Sequence, residues 1–597
     1  MQEQAAVDWE SIVPSRDLRY VPCFGRYQCA RLLLPMDWAA SEERRWDYTV
    51  AIALMKLPAN TSTITDSRYG GELYINPGGP GVSGVESVRR LGDYVDQIVN
   101  TETKAYDIVG FDPRGVVHST PRLSCFGDGN VQGRNLFGLT EGTYGWSESA
   151  LPKVWARAEA FARMCDPGNQ TTEEAVLKRH MSTANVARDL LAIIERSGDL
   201  RAARIEEALT LTDKRVELRD LDHLRALKNQ AGQETLQYWG FSYGTEIGGH
   251  FASMFPDRVG RMVLDGNGDF PDYLSGHWMS FLNDTDASLA TLFTSCFAAG
   301  RDKCALFRSG GPKAIEDDVM SMLNELKANP LPFWEDGMKY PELLTYEMVI
   351  EAMFVATYKP YAHFPPLAAA LAAMMNRENL NMSSIRYFVP QQGIRCSDEH
   401  CTSADCAYED EAWYHEPNAA ISCGDTAAAQ LNRSFADFQS WASALHQQSK
   451  IFGGYFASDS TMACHKWPTP PSFHFAGPFG GQTNHPILFV GNVLDPISPV
   501  RNALNMAALF DEGVALTTNA GGHCSPAAPS LCTALHIRKY FQTGELPKPG
   551  TVCEVDYPVF GEPAQLRNMD GQTHSLRRAI QEISESRDIT ARRFIRV

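Results

Sequence analysis

A serine between two glycines stands out in YWGFSYGTEIGG, residues 238–249, where a short apolar run gives way to a helix-like pattern. The spacing of Gly240, Ser242 and Gly244 is typical of a sharp strand-to-helix turn that exposes a nucleophilic hydroxyl. Because G-x-S-x-G also arises by chance, the context decides. LQYWGF supplies the strand and YGTEIGGHFASMF the helix, whose N-terminus favours a developing negative charge. Ser242 is therefore the candidate nucleophile.

A serine hydroxyl needs a base to take its proton, and the base needs a carboxylate to fix its tautomer. If the chain order is Ser, Asp, His, both partners lie downstream of Ser242. His523 occupies TTNAGGHCSP, a glycine-flanked loop after the strand-like VALTT, and is the candidate base. Asp495 in PILFVGNVLDPISPV follows an apolar run whose loop neighbours that of His523, which makes it the candidate acid. Asp265 in RMVLDG, one strand earlier, is the competing acid.

A glycine-rich loop, YINPGGPGVSG at residues 74–84, follows a strand-like run and predicts close approach of backbone. The tetrahedral intermediate of acyl transfer needs N–H donors aimed at its oxyanion. We expect the N–H groups of Gly79 and of Tyr243, directly after the serine, to form that pair. A phosphate-binding loop is the alternative interpretation, but this loop lacks the Lys-Ser/Thr ending of that motif.

The elements that must position these residues alternate along the chain. Apolar, strand-like runs occupy residues 48–57, 72–76, 106–111, 236–241, 261–266 and 486–492. Several of these runs are continuous rather than alternating, as in strands that are buried on both faces. Helical patterns separate most of them. The sequence therefore predicts an α/β fold, a mostly parallel sheet with helices on both faces.

Two stretches interrupt this alternation. A charged, helix-prone insertion at about 199–232 precedes the serine strand, and 272–480 has helical patterns without a regular strand series. We expect the longer stretch to be a large, mainly helical cap domain inserted into the core. The core domain then comprises 1–271 and 481–560. A C-terminal helical tail, 561–597, is expected to be an exposed amphipathic helix.

Composition narrows the possible partners. At 597 residues and 44% hydrophobic, the chain is long enough to bury a large core. A formal charge of −18 without a dense Lys/Arg run argues against a nucleic-acid partner. The longest nearly uninterrupted apolar run, 366–375, is about half of the roughly 20 residues that a membrane-spanning helix needs. We expect no membrane span, and the first residues show no signal-peptide pattern. The sequence leaves the oligomeric state open.

Fourteen cysteines, none of them in a C-x-x-C pair, favour disulfides over a zinc or redox site. Cys23 and Cys29 lie close together, Cys532 and Cys553 bracket a loop, and four more cluster in residues 396–423. Disulfides require an oxidising compartment, so the pattern predicts secretion, with buried reduced thiols as the alternative. Five N-x-S/T sequons fit a secreted glycoprotein. These sequons begin at Asn60, Asn169, Asn283, Asn381 and Asn432.

Four stretches together resemble one family. NPGGPGVSG, DIVGFDPRGVVHSTP, YWGFSYGT with RMVLDGNGD, and GNVLDPISPVRNALNMA followed by GGHC resemble secreted α/β-hydrolases of the tripeptidyl-aminopeptidase and prolyl-aminopeptidase group. ACHKWP and CTALHIRKYFQTGELPKPGTVC resemble the tripeptidyl-aminopeptidase-like C-terminal module. The resemblance implies an α/β-hydrolase fold, a triad of Ser242, Asp495 and His523, an oxyanion hole at the glycine-proline loop, and no metal or organic cofactor. Pro77 stands where prolyl aminopeptidases usually have His, which argues against narrow prolyl specificity.

An aminopeptidase must bind a free α-ammonium, and desolvating that charge requires carboxylates. In the expected cap, CSDEH and YEDEAWYHE offer Asp398, Glu399 and Glu409, with Asp410 and Glu411 beside them; an acidic solvated loop is the alternative interpretation. The sequence thus predicts a secreted serine hydrolase that acts through an acyl-enzyme, and the family resemblance implies that its substrate is a peptide N-terminus. An esterase or lactonase acting on a small metabolite, and a non-catalytic binding protein of the same fold, are the alternatives.

Overall fold

The strands form a ten-stranded sheet with a separate two-stranded one in a computed structural model of the chain. The structure describes residues 8–61, 66–126, 142–211, 233–334, 341–376, 415–427, 430–458, 464–467, 471–562 and 571–586. The strands are β1 (Val21–Cys23), β2 (Tyr27–Pro35), β3 (Thr49–Leu57), β4 (Tyr69–Asn76), β5 (Ala105–Phe111), β6 (Leu236–Phe241), β7 (Val259–Asp265), β8 (Leu331–Phe333), β9 (Glu342–Leu344), β10 (Leu488–Leu494), β11 (Val514–Gly521) and β12 (Val552–Cys553).

The strand order in the large sheet is β1-β2-β3-β5-β4-β6-β7-β10-β11-β12. Strands β1, β2 and β3 pair antiparallel, as do β3 and β5, whereas every pairing from β5 onward is parallel. Each of the six predicted apolar runs overlaps one of these strands. The prediction of an α/β fold with a mostly parallel sheet is confirmed.

Helices connect most of the strands. They are α1 (Gly84–Val99), α2 (Ala150–Cys165), α3 (Glu173–Lys178), α4 (Thr183–Leu211), α5 (Tyr243–Met254), α6 (Phe270–Ser275), α7 (Thr285–Ala299), α8 (Pro312–Ala328), α9 (Tyr346–Tyr358), α10 (Pro360–Asn376), α11 (His415–Asp425), α12 (Phe435–Gln448), α13 (Gly453–Ala457), α14 (Val500–Ala507), α15 (Leu531–Thr543) and α16 (Gly571–Glu585). None of the described helices is both long and apolar enough to cross a membrane.

Strand β3 shows why its apolar run does not alternate with polar residues. Leu54 belongs to a core cluster on one face of the sheet, and its neighbour Met55 belongs to a second cluster on the other face. The first cluster contains Phe251 of α5, and the second contains Val95 of α1 and Ile537 of α15. Both faces of the sheet are therefore covered by helices, and successive side chains of the strand are both buried.

The stretch between β7 and β10 is mainly helical and includes α6 to α13 with the small β8–β9 hairpin. Most of its apolar residues, among them Leu292, Val319 and Phe354, form a third core cluster together with Leu151 and Val154 of α2. The apolar residues of α11 belong instead to the first cluster, with the sheet. A cluster that is largely separate from the sheet fits the expected cap at 272–480, whose boundaries remain a prediction.

Two expectations about helices are modified. The predicted insertion at 199–232 begins within α4, which continues unbroken to Leu211; residues 212–232 lie outside the described part of the chain. The tail helix α16 is not simply exposed, because Leu576 and Ile580 are buried in the core cluster that contains α1 and α15. Its apolar stripe docks on the core rather than facing solvent.

Disulfides join ten cysteines of the described residues. Cys23 pairs with Cys29 and Cys532 with Cys553, as their spacing suggests. The remaining pairs are Cys125–Cys165, Cys296–Cys304 and Cys423–Cys464. Cys423 was expected to cluster with its sequence neighbours at 396–406, which lie outside the described residues. Five disulfides indicate an oxidising compartment.

One group of possible metal ligands lies close together in the described part of the chain: Cys532, His536 and Cys553. Both sulfurs are already joined in a disulfide. A disulfide sulfur is not a thiolate, and thiolate is the form that binds zinc. This group therefore does not make a metal centre in the oxidised protein.

Candidate active site

The parallel strands place the predicted residues at one edge of the sheet. Ser242 directly follows β6, Asp495 directly follows β10, and His523 lies two residues after β11. The glycine-rich loop follows β4, the strand that pairs with β6. Because parallel strands end at the same edge, four segments far apart in sequence meet there, which is where ligands bind in open α/β sheets.

Ser242 adopts a backbone conformation that non-glycine residues rarely take, with φ 56° and ψ −127°. Its N–H donates to the carbonyl of Asp265 at 2.9 Å, which holds the strained residue in place. It sits immediately before the first residue of α5, so its hydroxyl lies at a helix N-terminus. This is the strand–turn–helix geometry expected for a nucleophile elbow.

The two glycines of the motif are required by close backbone contacts. A Cβ on Gly240 would lie 2.4 Å from the carbonyl oxygen of Gly244, and a Cβ on Gly244 would lie 2.6 Å from that of Asn76. Neither distance is compatible with a side chain. The turn at Ser242 thus packs directly onto the end of β4.

The glycine-rich loop packs against the serine turn. A Cβ on Gly78, whose φ is +99°, would lie 2.8 Å from both the Cβ of Ser242 and the N of Tyr243. The buried side chain of Asn76 accepts the N–H of Gly78 at 2.9 Å and so fixes the loop. The peptide that joins Gly78 to Gly79 therefore adjoins the peptide that joins Ser242 to Tyr243. Two N–H groups converging beside a hydroxyl are what an oxyanion hole requires.

His523 faces a buried carboxylate. Its Nδ1 lies 2.9 Å from Oδ2 and 3.0 Å from Oδ1 of Asp495, whose side chain is fully buried. Because a carboxylate only accepts hydrogen bonds, this contact keeps the proton of the neutral imidazole on Nδ1. Its other nitrogen, Nε2, is buried and has no hydrogen-bond partner among the described residues. The free nitrogen can then accept a proton.

Main-chain donors hold the carboxylate of Asp495. Its Oδ1 accepts the N–H groups of Ile497 and Ser498 at 3.0 and 2.8 Å, and its Oδ2 accepts that of Cys524 at 3.0 Å. The hydroxyl of Ser498 also lies 3.1 Å from Nδ1 of His523. Sequence reasoning missed Ser498, although its place three residues after Asp495 in DPIS marks the turn that brings it back.

Asp265 connects the serine turn with the histidine loop. Its carbonyl accepts the Ser242 N–H and also the thiol of Cys524, the latter at 3.3 Å. A Cβ on the next residue, Gly266, would lie 3.3 Å from Cε1 of His523. The structure thus brings Ser242 and His523 to the same short segment. Asp265, the competing acid, directs its carboxylate at Ser525 rather than at the imidazole.

Helix α11 covers this edge of the sheet and contacts it at both ends. Near its start, the side-chain amide of Asn418 donates to the carbonyl of Pro80 in the glycine-rich loop at 3.1 Å. At its end, the buried carboxylate of Asp425 accepts hydrogen bonds from the N–H and hydroxyl of Thr183 and from the hydroxyl of Tyr273. Thr183 in turn bonds the hydroxyl of Tyr243. The helix therefore adjoins both halves of the expected oxyanion hole.

Glu246, one turn along α5 from Ser242, is an unusual buried acid. It is 2% exposed, and neither carboxylate oxygen has a hydrogen-bond partner among the described residues. Burial raises its pKa well above the ordinary value, and the nearby carboxylates of Asp269, Asp425 and Asp272 raise it further. A buried carboxyl in this setting is most stable in its neutral form.

Replacing Glu246 with glutamine is expected to stabilise the protein at alkaline pH. A folded-state pKa above the unfolded value of about 4.3 means that stability falls as pH rises from that value through the folded pKa. Glutamine cannot ionise, so Glu246→Gln should raise the midpoint of thermal unfolding at pH 8 by about 2 °C or more. The difference should shrink towards pH 4. Calorimetry at pH 4, 6 and 8 measures it.

The control for this prediction is Glu102→Gln, because Glu102 is exposed. We expect that variant to unfold like the original protein at each pH. If Glu246→Gln also showed an unchanged pH profile, the buried carboxyl would not be the destabilising group.

The carboxylates expected to bind a substrate ammonium, Asp398, Glu399 and Glu409, lie outside the described residues, as do Asp410 and Glu411. Their role stays a prediction. Among the described residues, the acids near the serine turn include Glu246 and Asp425 in addition to Asp265. Sequence patterns alone do not single these two out, because one lies inside an apolar helix and the other at the end of a cap helix.

Two family models match the chain. One, described as an alpha/beta hydrolase fold, matches residues 73–300 and so includes Ser242 and the glycine-rich loop. The other, described as a TAP-like protein, matches residues 449–553 and includes Asp495 and His523. Each of the two matches therefore contains a different part of the candidate site.

Several known proteins are similar in sequence. The chain is 25% identical over 553 residues to "Serine protease Hip1" of Mycobacterium tuberculosis, an alignment covering 92% of this chain and 91% of the relative. It is 30% identical over 262 residues to "Tripeptidyl aminopeptidase" of Streptomyces lividans, covering 44% of this chain and 38% of the relative. Over 99 residues it is 37% identical to "Carboxylesterase B" of Mycobacterium tuberculosis, covering 16% of each chain.

The strand order, the turn at Ser242 and the family match show that this chain has the α/β-hydrolase fold. More particularly, it is a serine hydrolase similar to Hip1 and to tripeptidyl aminopeptidase, with a TAP-like C-terminal part. The family resemblance noted in the sequence is confirmed.

Proposed function

We propose that this hydrolase is an aminopeptidase in which Ser242 is the nucleophile, His523 the general base and Asp495 the residue that orients His523. The observation that carries this proposal is the contact of Nδ1 of His523 with both oxygens of Asp495, which leaves Nε2 unpartnered. A histidine held this way at a sheet edge beside a strained serine has the arrangement needed for acyl transfer.

In the proposed acylation step, the hydroxyl oxygen of Ser242 attacks the carbonyl carbon of the substrate. Nε2 of His523 takes the hydroxyl proton, and Asp495 stabilises the imidazolium that forms. The negative charge on the substrate oxygen is met by the N–H groups of Gly79 and Tyr243. Collapse of the tetrahedral intermediate releases the leaving amine, which receives the proton from Nε2.

Deacylation repeats these chemical steps with water as the nucleophile. Nε2 of His523 now takes a proton from water, and the resulting hydroxide attacks the ester carbonyl of the acyl-enzyme. The same two N–H donors stabilise the second tetrahedral intermediate, whose collapse breaks the bond between the acyl carbon and the Ser242 oxygen, and that oxygen receives the proton from Nε2 of His523. The released acid is the N-terminal fragment, and no step requires a metal or an organic cofactor.

A peptide N-terminus is the proposed substrate because the two relatives with the longer alignments are named as a serine protease and a tripeptidyl aminopeptidase. Carboxylates in the cap would hold its α-ammonium, with Asp398, Glu399 and Glu409 as the candidates from the sequence. We also propose that the protein is secreted, since the five disulfides among its described residues require an oxidising compartment. Three sequon asparagines, Asn60, Asn169 and Asn432, are exposed and so fit glycosylation.

An ester substrate is the second candidate. It is favoured by the short match to a protein named carboxylesterase, and the same acyl transfer serves esters and amides alike. A non-catalytic role is less well supported, because His523 contacts the carboxylate of Asp495 at the sheet edge that also carries the strained Ser242.

Parallel assays of aminoacyl and tripeptidyl arylamides and of simple aryl esters separate these functions. An aminopeptidase should cleave the arylamides with a free amino group and lose this activity when that group is acetylated. Strong ester turnover without amide cleavage would support the esterase. Neither activity, together with no labelling by a fluorophosphonate probe, would support a binding protein.

A further inference from the structure

Asp265 lies between the two segments that must meet for catalysis. It is the last residue of β7, is fully buried, and its main-chain carbonyl accepts the N–H of Ser242 and the thiol of Cys524. The same residue thus bonds the proposed nucleophile and the residue next to the proposed base. Asp265 takes no part in the proposed proton transfer, because Asp495 is the carboxylate that orients His523.

The side-chain carboxylate of Asp265 also accepts hydrogen bonds. Its Oδ1 accepts the N–H of Ser525 at 2.8 Å, and its Oδ2 accepts the hydroxyl of Ser525 at 2.5 Å and the indole N–H of Trp239 at 3.3 Å. Three donors point at one carboxylate. Only the ionised form accepts all of them, since a proton on either oxygen would face a donor that is already there.

The loop that carries His523 is therefore held from two sides. Asp495 bonds the ring of His523 and the N–H of Cys524, and Asp265 bonds the residue that follows, Ser525. We propose that Asp265 is a positioning residue that, in its ionised form, sets the separation between the Ser242 hydroxyl and the His523 imidazole. This inference rests on the proposed serine-hydrolase mechanism.

Asp265 changes its protonation state at a pH at which the enzyme can be assayed. Burial raises the pKa of Asp265 to about 6, against the hydrogen bonds from Ser525 and Trp239 and the charge of His523, which lower it. The other titratable groups that face it are Tyr94 of α1 and Cys524, and both have pKa values raised by burial. Near pH 6 Asp265 is therefore the residue among these three buried neighbours whose charge changes.

The proposed mechanism needs His523 as a free base and Asp265 ionised, so two protonations would inactivate the enzyme. The acid limb of the plot of log kcat/KM against pH should then approach a slope of about 2, whereas one inactivating proton gives about 1. The slope reports the number of protons that inactivate the enzyme. A merely structural role for Asp265 would not change it.

The first test is Asp265→Asn, assayed with whichever arylamide or ester the original protein hydrolyses. An amide NH₂ would face at least one of the three donors, so the histidine loop should shift. We expect kcat at pH 8 to fall roughly 10- to 100-fold, the size of effect that a small misplacement produces, with KM nearly unchanged. The acid slope should drop to about 1.

The second test is Ser525→Ala, which keeps the main-chain donor and removes the hydroxyl. Losing that hydrogen bond raises the pKa of Asp265, so the acid limb should move to higher pH while activity at pH 8 falls only a few-fold. Asp269→Asn is the control, because Asp269 is the N-cap residue of α6. This variant should leave the slope and the midpoint of the acid limb unchanged. This pair keeps the inference testable even if Asp265→Asn does not fold.

The outcomes separate the inference from the function on which it rests. An original protein without hydrolase activity would contradict the proposed function itself. An active protein whose acid slope is about 1, or whose slope and midpoint are the same in all variants, would overturn the role of Asp265 alone.

Discussion

Replacing Ser242 with alanine should lower kcat by a factor of about 10⁴ or more, because no other hydroxyl can form the acyl-enzyme. Binding should survive, since the glycine-rich loop and its N–H donors stay in place. The measurement is kcat for the best arylamide or ester substrate, with fluorophosphonate labelling as an independent readout. Labelling should disappear together with activity.

The matched control is Ser253→Ala. Ser253 lies near the end of the same helix, α5, where its hydroxyl accepts the N–H of Gly480 at 3.3 Å. We expect this variant to keep its activity and its labelling within a factor of about two. Activity or labelling that persisted in Ser242→Ala would mean that another residue carries the chemistry.

Replacing Asp495 with asparagine should lower kcat by about 10³- to 10⁴-fold without unfolding the protein. The amide of asparagine can donate to Nδ1 of His523, which moves the imidazole proton to Nε2. That nitrogen could then no longer accept the proton of Ser242. The steady-state kcat at pH 8 measures the loss, and thermal unfolding shows whether the fold is kept.

Asp511→Asn is the comparison variant, because Asp511 is exposed in the loop between α14 and β11. It should behave like the original protein in both assays. If Asp495→Asn retained most of its activity, a different acid would have to orient His523, and Asp265 would be the first to examine.

The parts of the candidate site that follow strands could be predicted from the sequence. Ser242, Asp495 and His523 each come after an apolar run, Ser242 and His523 with glycines close by, and parallel strands necessarily bring such positions to one edge. Strand periodicity also predicted the sheet correctly, since continuous apolar runs match strands buried on both faces.

The contacts between distant helices could not be predicted. Asp425 accepts hydrogen bonds from Thr183, which is 242 residues away in the chain. No local sequence pattern indicates such a contact. The docking of Leu576 and Ile580 was missed for the same reason, because an amphipathic stripe does not state which surface it covers. Asp265 was noticed as a possible acid, but only the fold shows that its carboxylate meets Ser525.

The position of helix α11 has a consequence for catalysis. Near its start, Asn418 donates a hydrogen bond to Pro80, and at its end Asp425 accepts one from Thr183. These contacts adjoin the two peptides that would stabilise the oxyanion. Any displacement of this helix would remove the contacts of Pro80 and Thr183 and so disturb the two peptides beside Ser242. Catalytic activity would therefore depend on how α11 is seated, although none of its residues is proposed to react with the substrate.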